Sequence, residues 1–239
     1  MRTAVVTGAA NGIGAATLEL LRSQGFRVIG VDREPSADPD ILQADLMDPD
    51  VWDGLTTRLV AHAGDIDVLV NCAGVYVPIG VDQLTEQDMR DHYQVNLLAP
   101  VALMRSLGLL MAARGYGRIV NVSSIHAQFS EPLGLAYDAS KAALEAATRT
   151  LATELSPAGV LANSVAPGFV RTRLSIVNGV DELESDWFKV HYLEGNRLPA
   201  GRAAEPIEIA HVISFLASEE CSYVSGQTIT VDGGLTARF

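Results

Sequence analysis

Thr3-Ala-Val-Val-Thr7 runs directly into Gly8-Ala-Ala-Asn-Gly12-Ile-Gly14. The five residues before the glycines are apolar or β-branched, the make-up of a buried strand. The glycines let the backbone turn sharply and come close to a ligand. Residues 13–24 then carry a helical pattern. A helix N-terminus after such a turn offers unpaired N–H groups and a positive dipole end to a phosphate. A strand, a glycine turn and a helix in that order begin a parallel sheet covered by helices. Taken alone, the turn also fits an ordinary tight strand–helix connection.

The rest of the chain repeats the alternation. Strand candidates lie at 3–7, 27–31, 41–44, 66–71, 118–123, 160–165 and 227–231. Helical patterns lie at 13–24, 50–63, 85–95, 101–113, 137–155 and 206–218; the last starts with Pro206, which suits a first turn. Leu144, Leu151 and Leu155 repeat at helical spacing and mark a buried stripe. This predicts an α/β fold: one domain over 1–239, a doubly wound parallel sheet of about seven strands with helices on both faces. Residues 34–40 hold two prolines and three acids, too broken for a helix, so the connection between the second and third strands is expected to be a loop. Residues 173–204 mix Trp187, Phe188, His191 and Tyr192 with acids. They read as a lid over a binding site or as a peripheral helix packing its aromatics on the core.

Of the 239 residues 48% are hydrophobic, enough for a sizeable core. The 17 basic residues against 29 acidic ones give −12, which argues against nucleic-acid or anionic-membrane partners, since both need clustered Lys and Arg. Cys72 and Cys221 are too few for a disulfide framework, and a reduced cytoplasmic setting is the simplest reading. The stretch 3–7 is too short for a signal peptide, and no apolar run reaches the roughly 20 residues of a membrane helix. The histidines (His62, His92, His126, His191 and His211) form no ligand spacing, so no catalytic metal is expected.

Two features carry chemistry. Tyr137 and Lys141, four apart on a predicted helix, share one face. A free tyrosine ionises near about 10, and a neighbouring ammonium favours the phenolate. The pair can exchange a proton with an alcohol oxygen. Asp32 ends the second strand, 18 residues after Gly14. A carboxylate there accepts both hydroxyls of an adenosine ribose and repels a 2′-phosphate, favouring NAD over NADP. Arg33 pulls the other way; Asn11, where a basic residue would meet the phosphate, agrees with Asp32. The glycine spacing is GxxxGxG, not the GxGxxG of the dinucleotide fingerprint.

With Gly8–Gly14, Asp32, Asn71-Cys72-Ala73-Gly74, Asn96, Ser123-Ser124, Tyr137-xxx-Lys141 and Pro167-Gly168 in order, the chain resembles the short-chain dehydrogenase/reductase family, in its NAD-dependent, single-domain, Rossmann-like branch. The likeness runs from Thr3 to about Gly234. It implies Tyr137 as general acid/base, and Lys141 lowering its pKa and bonding the nicotinamide ribose. It implies Ser124 rather than Ser123 on the substrate oxygen, and Asn96 positioning a water that links Lys141 to solvent. For the cofactor it implies Gly8, Asn11, Gly12, Ile13 and Gly14 at the pyrophosphate, Asp32 and Arg33 at the ribose, and Asp45 and Leu46 framing the adenine. Asn71, Ala73 and Gly74 would line the adenosine ribose and brace the sheet; Pro167, Gly168, Val170 and Thr172 would hold the nicotinamide. Cys72 stands where the family often has a second Asn. The short connection after Asp32 is similar to that of dehydrogenases of cyclic dihydrodiols.

His126 and Tyr76 are candidate substrate contacts, although a lone His is as often a structural hydrogen-bonder. The expected activity is NAD(H)-dependent hydride transfer to or from a secondary alcohol or ketone of a small polar substrate. The alternatives are a 3-oxoacyl-thioester reductase using NADPH and a catalytically silent NAD-sensing regulator; the latter should have lost Tyr137 or Lys141. Family members commonly pair the helices matching 101–113 and 137–155, so a homodimer or homotetramer is expected. An Ala-rich helix (Ala139, Ala142, Ala143, Ala146) packed on its own sheet would read the same.

Overall fold

The computed structural model describes residues 1–177 and 179–237; Asn178, inside the 173–204 stretch, and the terminal Arg238 and Phe239 lie outside them. Strands β1 (Thr3–Thr7), β2 (Arg27–Asp32), β3 (Ile41–Gln43), β4 (Val68–Asn71), β5 (Gly117–Val122), β6 (Val160–Pro167) and, near the C-terminus, β9 (Thr228–Val231) form one parallel sheet. Its order is β3-β2-β1-β4-β5-β6-β9. A two-stranded antiparallel hairpin, β7 (Ile176–Val177) and β8 (Val180–Asp181), stands apart from it. The helices are α1 (Gly12–Ser23), α2 (Asp50–Ala63), α3 (Glu86–Tyr93), α4 (Ala99–Ala113), α5 (Leu135–Leu155), the three-residue α6 (Asp186–Phe188) and α7 (Pro206–Ala217). No helix or strand forms between β2 and β3, as the prolines there dictate.

Both faces of the sheet are covered. Along β1 the buried side chains alternate between them: Val5 belongs to one core and Ala4 and Val6 to the other. The first core is closed by Leu55 and Leu59 of α2, Leu103, Met104, Leu107 and Met111 of α4 and Leu144 of α5. The second is closed by Leu18 and Leu21 of α1 and Ile209, Ile213 and Leu216 of α7. Deleting one such leucine side chain costs about 2–5 kcal/mol.

The sequence separates the helices at 85–95 and 101–113. The chain joins them: a π-helical turn, Gln94–Leu98, links α3 to α4 without a break. Pro100 is the physical reason. It has no N–H for the carbonyl four residues back, and a wider turn absorbs the missing bond. The joined helix, Glu86–Ala113, is 28 residues long and has a window apolar enough to cross a membrane by length and composition, correcting the expectation that no stretch would pass. Half of that window is buried, and α4 packs on the sheet.

The strand order reverses between β1 and β4. Turns leaving adjacent strands in opposite directions open a crevice at their carboxyl ends. Thr7 locks the two banks: its Oγ1 accepts from the N–H groups of Cys72 and Ala73, at 3.0 and 3.1 Å.

Candidate active site

A cleft of about 1090 Å³ opens at that crevice. Its floor is the glycine turn. Gly8 has φ +67°, and a Cβ there would sit 3.0 Å from the backbone of Ala73. A Cβ on Gly14 would lie 2.0 Å from the Gly8 carbonyl oxygen. The turn therefore exists only with glycine at these places, and it presents bare backbone at the start of α1. That cradle fits a pyrophosphate. Asp32 is fixed beside it: one carboxylate oxygen accepts from the Ala10 N–H at 2.9 Å and the other from the Glu34 N–H at 3.0 Å.

Of the residues expected around a dinucleotide, Gly8, Asn11, Gly12, Ile13, Gly14, Asp32, Arg33, Asp45, Leu46, Ala73, Gly74, Tyr137, Lys141, Pro167, Gly168, Val170 and Thr172 all line the cleft. Asn71 does not. It is 2% exposed and points into the sheet, where its Nδ2 donates to Asn121 Oδ1 at 2.8 Å. It is a brace between β4 and β5, the second of the two roles expected of it, and it is not among the residues lining the cleft.

The chemistry-bearing groups stand at the other half of the cleft. Tyr137 projects from the first turns of α5, and the Ser124 hydroxyl hydrogen-bonds its phenol. The two serines at the end of β5 both line the cleft and are separated by their partners: Ser123 Oγ donates to Glu145 Oε1 at 2.9 Å, whereas the Ser124 hydroxyl is bonded to the Tyr137 phenol. Lys141, one turn beyond Tyr137, is 3% exposed. Its Nζ lies 5.6 Å from the Tyr137 ring centre and donates to the Val122 carbonyl at 2.8 Å.

The expected lowering of the phenol pKa by Lys141 is not found in the protein by itself. Burial pushes Tyr137 up to about 12, against the pull of the Ser124 hydrogen bond; Asp138 and Tyr76 add to the rise. Burial also brings Lys141 down to about 8. The ammonium donates to a carbonyl, and desolvation is the largest cause of both shifts. Tyr137 in this state is a proton donor.

Asn96 sits in the π-helical turn and is fully buried. Its Oδ1 accepts from the Val75 N–H at 2.9 Å, and its Nδ2 donates to the Val75 carbonyl and to Ser140 Oγ, both at 3.0 Å. It faces inward rather than lining the cleft. Gly74 lies beside both: a Cβ there would be in ordinary contact with Asn96 Oδ1 at 3.4 Å and Lys141 Nζ at 3.5 Å.

Both substrate candidates line the cleft. Tyr76 meets the Tyr137 ring edge-on at 5.1 Å, and His126 does so at 5.8 Å. His126 Nδ1 is 2.8 Å from Asp138 Oδ1, which fixes the ring. The described part of 173–204 both packs and lines the cleft. Leu183, Phe188, Tyr192, Leu198 and Ala203 form a small core of their own with Phe169, and Trp187, His191 and Tyr192 also wall the cleft. Sequence reasoning passed over Glu34, Val95, Glu182 and Arg197 as lining residues. Glu34 and Glu182 lie in irregular segments without a periodic signal, and only the fold brings them to the cleft.

The family model described as "Enoyl-(Acyl carrier protein) reductase" matches residues 8–236. The chain belongs to the short-chain dehydrogenase/reductase family. Among its relatives, the cis-4-hydroxycyclohexanecarboxylate dehydrogenase of Sinomonas cyclohexanicum is 38% identical over 99% of this chain and 97% of its own. The 3-oxoacyl-[acyl-carrier-protein] reductase FabG of Thermotoga maritima is 34% identical over 98% and 97%. A gluconate 5-dehydrogenase from Burkholderia cenocepacia, solved in complex with NADP and tartrate, superposes with a TM-score of 0.90 at 27% identity, covering 100% of this chain and 96% of that one. This short-chain dehydrogenase/reductase is an oxidoreductase acting on hydroxyl and keto groups.

Proposed function

We propose that this protein is an NAD(H)-dependent dehydrogenase/reductase of a secondary alcohol or ketone on a small, polar, hydroxylated or cyclic substrate. The observation that carries this is the placing of Tyr137, bonded to Ser124 and adjoining Lys141, in the same cleft as the Gly8–Gly14 cradle. A nicotinamide, when bound, accepts or supplies the hydride at the carbinol carbon. The chain's own residues handle everything else. Ser124 and Tyr137 donate hydrogen bonds to the substrate oxygen as negative charge grows on it, and Tyr137 passes its proton over. In the reverse direction the phenolate takes the alcohol proton. Lys141 supplies the positive charge behind the phenol, and Asn96 acts by holding Val75 and Ser140. Residues 173–204 serve as the lid.

Asp32 supports NAD, because both of its oxygens are already committed to backbone donors and cannot turn from a 2′-phosphate. The substrate end mixes aromatic walls with Glu131, Glu182 and His126, which suits a neutral hydroxylated ring better than an acyl chain. The dehydrogenase of a hydroxycyclohexane acid supports a cyclic alcohol. A second reading, 3-oxoacyl-thioester reduction with NADPH, draws on the FabG relatives. We further propose a homo-oligomer working in the cytoplasm, the latter resting on two free cysteines.

A screen of cyclic alcohols, sugars, hydroxy acids and steroids, read at the NADH absorbance, tests the reaction. Tyr137→Phe should abolish turnover and keep nucleotide binding; near-normal rates in that variant would remove the assignment. NADPH-linked reduction of an acetoacetyl thioester, with no NAD-linked activity, would select the second reading.

A further inference from the structure

Glu34 is the least expected residue in the cleft. It follows Asp32 by two positions, in the short connection after β2. Its two carboxylate oxygens reach in different directions. Oε2 accepts from Asn11 Nδ2, on the glycine turn, at 3.3 Å. Oε1 accepts from Arg173 Nη1 at 2.6 Å. Arg173 lies 139 residues further along, in a 3₁₀ turn (Arg173–Ser175) after β6. That turn is itself seated: Thr172 Oγ1 accepts from the Leu174 N–H, and Thr172 Cγ2 lies 3.1 Å from where a Cβ on Gly12 would stand. The row Asn11–Glu34–Arg173 therefore runs from one bank of the crevice to the other, across its adenosine half. All three residues line the cleft, as does Arg33.

We propose that Glu34 is a second cofactor-selecting residue, which latches the Arg173 turn over the adenosine ribose and, with Asp32, turns away a dinucleotide carrying a 2′-phosphate. This rests on the dinucleotide reading of the cleft. A ribose with a free 2′-hydroxyl brings no charge to the row. A phosphomonoester carries between one and two negative charges at neutral pH. It would meet Asp32 and Glu34 together and would have to take Arg173 from Glu34. Like charges brought together in a partly enclosed site discriminate between partners without adding affinity for the right one. The pair is also well suited to opening: Arg173 and Glu34 side chains are 63% and 42% exposed, and exposed ion pairs hold weakly. With Glu34 made neutral, Arg33 and Arg173 would flank the same point, and two guanidinium groups are a good phosphate site.

Equilibrium titration of the full chain with NADH and with NADPH, read by nucleotide fluorescence, tests this in four proteins: wild type, Glu34→Gln, Arg173→Gln and the double variant. The wild type should favour NADH by about tenfold or more, and Glu34→Gln should tighten NADPH by about tenfold. The double variant should gain less for NADPH than Glu34→Gln does, because the freed guanidinium is the receiver. Arg173→Gln should speed NADH release at low salt and lose that effect at high salt, where the ion pair is screened in the wild type as well. If Glu34→Gln binds NADH but leaves NADPH within about threefold of the wild type, the inference falls and the dinucleotide reading stands. A wild type that binds both nucleotides equally overturns the selection by Glu34, and one that binds neither overturns both readings.

Discussion

At the scale of single residues, Tyr137 and Lys141 set the pH response. Reduction of a ketone needs the phenol protonated and the ammonium charged. The phenol holds its proton up to about 12, whereas Lys141 loses its proton near about 8. The rate of reduction should therefore be level below about pH 8 and fall above it, and the falling limb belongs to Lys141. Alcohol oxidation should rise with pH, since it consumes phenolate. Initial rates from pH 6 to 10 in both directions check this; a reductive rate that climbs through pH 9 would contradict it. The same lysine burdens the fold. Its pKa is about 8 folded against 10.5 in the ordinary side chain, so below pH 8 the folded state carries a desolvated charge that the unfolded state does not. In the window from 8 to 10.5 the unfolded state binds the extra proton, and stability rises with pH through it. Lys141→Met removes that burden and loses the bond to the Val122 carbonyl. The net gain at pH 7 should be roughly 2 kcal/mol, or about 5 °C in the thermal midpoint. The gain should shrink as the pH approaches 10.5, and turnover should be lost throughout.

At the scale of elements, the π-helical turn is the structural device of the site. It rotates Val95 into the cleft and Asn96 inward, where one side chain satisfies both backbone groups of Val75. Asn96→Ala leaves those groups and Ser140 short of partners in a closed place. It should cost about 3 kcal/mol in denaturant unfolding and reduce kcat, through the loop that carries Gly74 and Tyr76. A loss below about 0.5 kcal/mol would mean that Val75 finds other partners. This turn was illegible in the sequence, which shows two helices parted by Pro100; nothing in residue spacing distinguishes a break from a widened turn. The strands were legible because parallel strands buried on both faces are nearly all apolar, and all seven main-sheet strands lie within two residues of their expected limits at each end. The β7–β8 hairpin was not, being two residues a side without alternation to read. For the site, the glycines, Asp32, Ser124, Tyr137 and Lys141 announce themselves by type and order. Asn71 was legible as a brace of the sheet, whereas its absence from the cleft lining was not, because burial is not given by residue type or order. The direction of the Tyr137 shift was illegible for a different reason: spacing gives proximity, but burial, which decides the sign here, is a property of the folded cleft.

At the scale of the whole molecule, some of the exposed large apolar side chains lie on two helices that cover opposite faces of the sheet. On the helix from α3 through α4, Leu98, Leu109 and Leu110 are 43%, 58% and 42% exposed, on the outer side of the first core. On α7, which covers the opposite face of the sheet, Ile207 and Phe215 are 40% and 44% exposed, and the nearby Tyr223 is fully exposed. Two apolar patches on opposite faces are what a molecule with two different twofold contacts requires, and two such contacts at right angles close a tetramer. We therefore expect light scattering to give about 100 kDa, four times the 25.4 kDa of one chain. Leu109→Asp and Phe215→Asp place a charge in one patch each while leaving both cores intact. Each should reduce the assembly to a dimer, and the two together to a monomer. The α4 substitution should weaken activity more than the α7 one, because α4 continues the turn that holds Asn96 and packs beside α5, which carries Tyr137 and Lys141. A wild-type mass near one chain at micromolar concentration would show instead that both patches are left to solvent.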